Sequence, residues 1–324
     1  MITFPHYAYV GLVYRFASLD RSAEIIKINL EDGNIVKKRW LPGPLYDITT
    51  GHPKDEGFRQ RGARGVVCSD GHIHVATCDA IHVLTPELEH VETISNEHFC
   101  DVHEFIKYPT GYVVTSTRVD LVVRCSESGA TNNVWVATDD PALRLAVPGM
   151  ELVARPLERD LRKVFPRRNS THLNAVSRVN GMTLVGLHKQ AVLWSIEGSS
   201  VFHDARELSV RNTHNHQCHE DGSVSLNDTG SGRFLHWQPG VEVCTVGLSH
   251  YGRCVERPAA LCIPEALAHG WLRGLARLGG SYWLVGQCPA KLVAVDLQQR
   301  RVVRVYPIDA DWRVSVHGIA VGAP

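Results

Sequence analysis

A short segment from Asn212 to Gly222, NTHNHQCHEDG, contains three histidines, His214, His216 and His219. A neutral imidazole can bind a transition-metal ion, accept a proton or act as a nucleophile. A single histidine at the start of a strand is usually a structural residue with satisfied hydrogen bonds. The segment therefore indicates a functional site only if the same context recurs elsewhere in the chain.

The context does recur, in a repeat of roughly 40 residues. Each repeat has a short apolar run, a glycine-containing turn and two further runs rich in Val, Ile, Leu and aromatic residues. This composition and spacing are typical of a four-stranded propeller blade. The repeats begin at Ala63, Val102, His172, His214, Leu272 and Val316.

The repeat at Val316 supplies one strand, and the segment before Ala63 contains three strand-like runs. We therefore predict an all-β fold, a six-bladed β-propeller closed by pairing of the C-terminal strand with the N-terminal blade. Residues 1–324 form a single domain in this prediction. Cap insertions are expected at about 139–170 and 253–269, with a helix from Leu157 to Phe165 in the first.

The inner strand of each blade begins near the propeller axis, so equivalent residues at the strand starts surround one space. Four of the six blades bring histidine to this position and two bring arginine. Histidines elsewhere, such as His188 and His203, are interpreted as structural. The axial column consists of Arg64, His103, His172 with Asn174, His214 or His216, Arg273 and His317.

Four imidazoles in one column predict a divalent metal ion, Fe, Zn, Mn or Cu, because neutral nitrogen ligands suit these metals. The predicted metal ligands are His103, His172, His214 and His317. We expect Glu104 and Asn174 to orient the imidazoles. The predicted catalytic residues are Glu104, Asn174 and His216.

Two arginines in the same column predict that the ligand is a small anionic molecule, since guanidinium groups bind carboxylate, phosphate or sulfate with two parallel hydrogen bonds. The predicted substrate-binding residues are Arg64, Arg273 and His250. For Arg64 the alternative is a structural pairing with a carboxylate such as Glu104.

The overall charge excludes a general attraction to nucleic acid, because Lys+Arg and Asp+Glu both number 34. No stretch approaches the ~20 apolar residues of a membrane span, and the N-terminus lacks a signal-peptide pattern. We therefore predict a cytoplasmic protein with no nucleic-acid or membrane partner. The nine cysteines contain no C-x-x-C pair and are interpreted as buried thiols.

Three repeat starts, DVHEFIKYPTG, THLNAVSRVNG and HNHQCHEDGSVSLNDTGSG, resemble those of the bacterial arylsulfotransferase family. Members of that family are six-bladed propellers that pass sulfate between phenols through a histidine. The resemblance implies that His103, His172, Asn174 and His214 or His216 line the pocket. The HLNAV start is also similar to uncharacterised propeller proteins with a ring of histidines.

The chain departs from the arylsulfotransferase pattern in two places. The family's pocket arginine would fall near His188 and Lys189, and His317 stands where a small hydroxyl residue is expected. The fourth histidine favours a metal-dependent enzyme, a lyase, hydrolase or oxygenase, over sulfate transfer. There are two alternatives. One is metal-free group transfer through a histidine, and the other is a non-catalytic, ligand-binding propeller.

Overall fold

The computed structural model describes residues 5–15, 17–43, 62–148, 150, 160–161, 170–210, 212–238, 240–249 and 271–322. In this part of the chain, 24 strands form six antiparallel sheets of four strands each. The innermost strands of the sheets contact one another around a central axis. The predicted six-bladed β-propeller is therefore confirmed.

The first three blades take their strands from the N-terminal half of the chain. Blade 1 contains β1 (Tyr7–Tyr14), β2 (Ala23–Asn29) and β3 (Ile35–Trp40). Blade 2 contains β4 (Val66–Ser69), β5 (His72–Ala76), β6 (Ala80–Leu84) and β7 (His90–Ser95). Blade 3 contains β8 (Val102–Tyr108), β9 (Gly111–Ser116), β10 (Leu121–Cys125) and β11 (Thr131–Val136).

The other three blades follow in the C-terminal half. Blade 4 contains β12 (Leu173–Val179), β13 (Met182–Leu187), β14 (Val192–Ser195) and β15 (Ser200–Asp204). Blade 5 contains β16 (Thr213–Cys218), β17 (Val224–Asp228), β18 (Arg233–Trp237) and β19 (Cys244–Gly247). Blade 6 contains β20 (Leu275–Gly279), β21 (Tyr282–Gln287), β22 (Lys291–Asp296) and β23 (Arg301–Pro307).

The last strand, β24 (Val314–Gly322), closes the ring. It is the innermost strand of blade 1 and pairs antiparallel with β1, from Tyr7 opposite Gly322 to Tyr14 opposite Val314. The predicted closure is confirmed. It removes the exposed sheet edge that an open blade would present to other chains.

Apolar side chains fill the space between neighbouring blades. Trp283 of blade 6 and Phe234 of blade 5 are fully buried in one such cluster, and their ring centroids lie 5.6 Å apart. Another cluster joins Val10 of blade 1 to Leu284 and Leu292 of blade 6. These contacts hold the inner strands at fixed positions around the axis.

The first insertion begins with a short helix that the sequence did not predict, α1 (Pro141–Ala146). Asp140 caps it by accepting a hydrogen bond from the backbone N–H of Leu143. Four 3₁₀ turns are also described: Leu19–Arg21, Thr117–Val119, Ala137–Asp139 and Ala205–Leu208. The second insertion and most of the helix predicted from Leu157 to Phe165 lie outside the described residues. Among the residues described, no helix is long and apolar enough to cross a membrane.

Two glycines allow blade 1 to pack closely on the start of blade 2. Gly11 of β1 and Gly318 of β24 lie opposite each other in the sheet. A Cβ atom on Gly318 would lie 1.6 Å from the carbonyl oxygen of Arg64, and one on Gly11 would lie 2.7 Å from that of Ala63. Both clashes are with backbone atoms, which cannot move aside as a side chain can.

We predict that Gly318→Ala lowers the free energy of unfolding by at least about 3 kcal/mol, at or above the usual upper range for overpacking. Urea denaturation measures this value. The control is Gly247→Ala in β19, where an added Cβ atom meets nothing within 4 Å, so we expect little change. A Gly318→Ala protein as stable as wild type would contradict the close approach of the two backbones.

Candidate functional site

Four inner strands contain an irregularity in register at the axial positions, and these irregularities aim the side chains of the site. In β8, His103 and Glu104 together lie opposite one residue of β9. In β24, His317 is an extra residue between Val316 and Gly318, which pair with consecutive residues of β1. Similar shifts occur in β12 and β16. Such β-bulges bend a strand and redirect its side chains, often beside functional sites.

The bulges bring three of the predicted metal ligands together. His103, His214 and His317 each have a ring nitrogen within 4.8 Å of a ring nitrogen of the other two. The ring centroids of His103 and His317 lie 4.3 Å apart, those of His103 and His214 5.5 Å, and those of His214 and His317 6.2 Å. The rings are tilted by 40–81°, so they do not form a parallel stack. We call these three residues the histidine triad.

Most ring nitrogens of the triad have no hydrogen-bond partner in the described part of the protein. Nδ1 of His214 is 2.9 Å from Oγ1 of Thr229, which leaves Nε2 unpartnered. Both nitrogens of His103 and both of His317 are also unpartnered. All three side chains are buried. Buried polar groups without partners are costly, so this arrangement indicates a ligand shared by the triad.

Burial also keeps the triad neutral. It lowers the pKa of all three imidazoles well below the usual value for histidine. For His214 and His317 the next largest cause is the neighbouring cation Arg273. For His103 it is the neighbouring imidazole of His317. Metal ions bind the neutral form of imidazole, so the triad is ready to coordinate at neutral pH.

The fourth predicted ligand, His172, lies beside the triad and is not a member of it. Its ring centroid is 5.6 Å from that of His103 and 6.4 Å from that of His214. His188, which the sequence analysis interpreted as structural, lies between them, 5.0 Å from His172 and 4.6 Å from His214. His188 directly follows β13, outside the repeated column. The one sequence signal for it was the resemblance to arylsulfotransferases, which puts that family's pocket arginine near His188.

The loop that positions His172 depends on Asp120, which the sequence did not single out. Oδ1 of Asp120 accepts hydrogen bonds from the backbone N–H groups of Thr171, at 3.2 Å, and His172, at 3.0 Å. Oδ2 accepts one from Ser170 at 2.6 Å. One buried carboxyl group therefore joins the connection between β9 and β10 of blade 3 to the start of blade 4.

His216, a predicted catalytic residue, lies away from the triad. Its Nε2 is 2.9 Å from Nδ1 of His203 in the outer strand of blade 4. The reason is the backbone between His214 and His216: Asn215 has a positive φ of 50° and lies in the bulge of β16. The bulge breaks the alternation that would otherwise place both imidazoles on one face.

Asn174 supports the site through the backbone. Its Nδ2 donates a hydrogen bond to the carbonyl oxygen of Thr213 at 2.7 Å, and its Oδ1 is buried with no partner among the described residues. The same carbonyl oxygen lies 2.7 Å from Nδ1 of His188. Asn174 and His188 therefore both hold the start of β16, the strand that carries His214.

Glu104 lies one residue further along β8 than His103 and is buried. Its Oε1 accepts a hydrogen bond from Asn215 at 3.2 Å, and Oδ1 of Asn215 accepts one from the backbone N–H of Gly274 at 2.8 Å. Burial raises the pKa of Glu104 to about 8, although Arg64 acts in the opposite direction. The carboxyl group therefore keeps its proton at neutral pH.

The two predicted substrate-binding arginines have different surroundings. Nη2 of Arg64 lies 3.0 Å from Oδ1 of Asp101 in a buried ion pair, so Asp101 is a carboxylate partner of this arginine. The guanidinium carbon of Arg273 lies 3.9 Å from the ring centroid of Trp271. The third, His250, falls outside the described residues.

Comparisons with known proteins support the fold. No protein-family model matches the chain, and no curated protein is significantly similar in sequence. A solved structure from a nidogen–laminin complex has a TM-score of 0.56 and 10% identity, over 96% of this chain and 97% of its own. A Bacteroides caccae protein of unknown function has a TM-score of 0.54 and 10% identity, over 97% and 98%.

Virginiamycin B lyase from Staphylococcus aureus is also similar in fold, with a TM-score of 0.50 and 12% identity over 97% of this chain and 89% of its own. Identities this low show a shared fold and do not carry an activity from one protein to another. The resemblance to arylsulfotransferases gains no support at the level of the family, because no family model matches.

We predict that Asp120→Ala lowers the free energy of unfolding by about 3 kcal/mol or more, because each buried N–H group left without an acceptor costs about 1–3 kcal/mol. Asp120→Asn retains one side-chain oxygen and should cost less. Urea denaturation of both variants measures the difference. Equal stability of Asp120→Ala and wild type would contradict the role of this carboxyl group.

Proposed function

We propose that the protein is a metal-dependent enzyme. In this proposal His103, His214 and His317 bind a divalent transition-metal ion. Arg64 and Arg273 hold a small anionic substrate beside it. The observation that carries the proposal is the triad itself: three buried imidazoles, with ring nitrogens within 4.8 Å of one another and most of them unpartnered.

Three histidine ligands suit a catalytic rather than a purely structural metal. Structural zinc sites usually have four protein ligands, whereas catalytic sites have three and leave a position for water or substrate. Thr229 contacts Nδ1 of His214, so Nε2 is the nitrogen that remains to bind the metal in this proposal. A hydrogen bond at the second nitrogen is the usual way in which proteins orient a metal-binding histidine.

The surroundings of the triad favour Lewis-acid chemistry on an anion. A bound divalent metal would polarise an oxygen atom of the substrate, as lyases and hydrolases require. Arg64 and Arg273 would hold the anionic group of the substrate. Glu104, protonated at neutral pH and adjacent to His103 in the same bulge, is proposed as the group that exchanges a proton with the substrate.

Metal content tests the proposal directly. The protein is purified without a histidine tag, reconstituted with Zn²⁺, Mn²⁺, Fe²⁺ or Cu²⁺ and freed of excess metal. Elemental analysis should then find about one ion per chain in the wild type and almost none in His103→Ala, His214→Ala or His317→Ala, since two imidazoles alone bind weakly.

The matched control is His216→Ala, which removes a buried histidine two residues from His214 in the same strand but in contact with His203. It should retain the metal. A wild-type protein that binds none of the four metals would refute the proposal and favour group transfer through a histidine. Equal metal loss in all four variants would show that the effect is one of folding.

A further inference from the structure

Two guanidinium groups flank one indole ring next to the triad. The guanidinium carbon of Arg273 lies 3.9 Å from the ring centroid of Trp271, and that of Arg15 lies 5.0 Å from it. The same indole packs edge-on against the ring of His214, with centroids 6.3 Å apart. Arg15, from the end of β1, was not among the residues that the sequence analysis selected.

The two arginines differ in how their N–H groups are used. Arg15 donates hydrogen bonds to the carbonyl oxygen of Trp312 and to Oγ of Ser315, both at 3.3 Å, which fix its side chain. Nε of Arg273 is buried and has no partner among the described residues. A guanidinium group with an unused buried donor can still bind an anion.

Positive charge is in excess at this position. Burial lowers the pKa of Arg273 well below its usual value, and the next largest causes are the neighbouring charges of Arg15 and Arg64. Asp101 is paired with Arg64, at 3.0 Å, and lies 3.8 Å from Arg118. Among the described residues, three guanidinium groups therefore lie near one another, and Arg64 and Arg118 share the nearby carboxylate. An anion with two charges would balance the excess.

The two arginines and the indole are the more exposed neighbours of the triad. Arg15, Trp271 and Arg273 are half-buried, as is His172, whereas Glu104 and Asn215 on the other side are buried. These residues are therefore more accessible to a ligand from solvent than Glu104 and Asn215 are.

We propose that Arg15, Trp271 and Arg273 form a binding site for a doubly charged oxyanion group, the phosphoryl group of a phosphate monoester. Trp271 holds the two guanidinium groups by cation–π contact on its ring, and Arg273 supplies the unused donor. The inference rests on the proposed function only in identifying this group as part of the substrate. The anion site itself needs no metal.

Isothermal titration of metal-free protein tests this inference at pH 7.5 and low ionic strength. The probes are inorganic phosphate, phenyl phosphate and acetate. A phosphate monoester has a charge close to −2 at this pH, so phenyl phosphate should bind at least about tenfold more tightly than acetate. Similar affinities for phosphate and phenyl phosphate would identify the phosphoryl group alone as the ligand. Tighter phenyl phosphate binding would add a contact of its ring.

The variants Arg273→Gln and Trp271→Leu should weaken phenyl phosphate binding by about tenfold or more. The matched control is Arg277→Gln, which removes an exposed arginine whose guanidinium carbon lies 5.8 Å from the ring centroid of another tryptophan, Trp283. It should change affinity by less than about twofold. Thermal melting of each variant shows whether it is folded.

Three results would overturn the inference. They are no binding of phenyl phosphate to the wild type, equal affinity for phenyl phosphate and acetate, or a loss of phenyl phosphate affinity in Arg277→Gln as large as that in Arg273→Gln. Because the protein contains no metal in these titrations, a failure here leaves the metal proposal intact. Conversely, failure of the triad to bind metal would not affect the phosphate result.

Discussion

The pairing of β24 with β1 is the contact on which the axial site depends. It closes the ring of blades, and it also carries His317 to the axis between Val316 and Gly318. Without it, His103 and His214 would lack the third ring of the triad. The close approach of Gly318 to the carbonyl oxygen of Arg64 belongs to the same interface. The contact that closes the propeller is therefore also the one that completes the triad.

Burial determines the chemistry of the residues that this closure brings together. It lowers the pKa of the triad imidazoles, which favours their neutral form, and raises that of Glu104, which favours its protonated form. The charged groups nearby are mainly arginines. A neutral set of nitrogen ligands beside an excess of positive charge suits a site that binds a metal and an anion together.

The repeat and its axial column could be predicted from the sequence because blades are built from the same local pattern of strands and turns. The confirmed propeller and the grouping of His103, His214 and His317 follow from that pattern. The choice between His214 and His216 could not be predicted. It depends on the bulge at Asn215, whose positive φ sends the two imidazoles to opposite sides.

The sequence by itself determined which strands repeat, where the ring closes and which residue types reach the axis, because these follow from local composition and spacing. Only the tertiary structure decided which side chains meet. His188, Asp101, Asp120 and Arg15 join the site from outside the column, through loops and strand ends whose positions depend on neighbouring blades. Contacts between residues far apart in the chain are set by packing, and no local pattern records them.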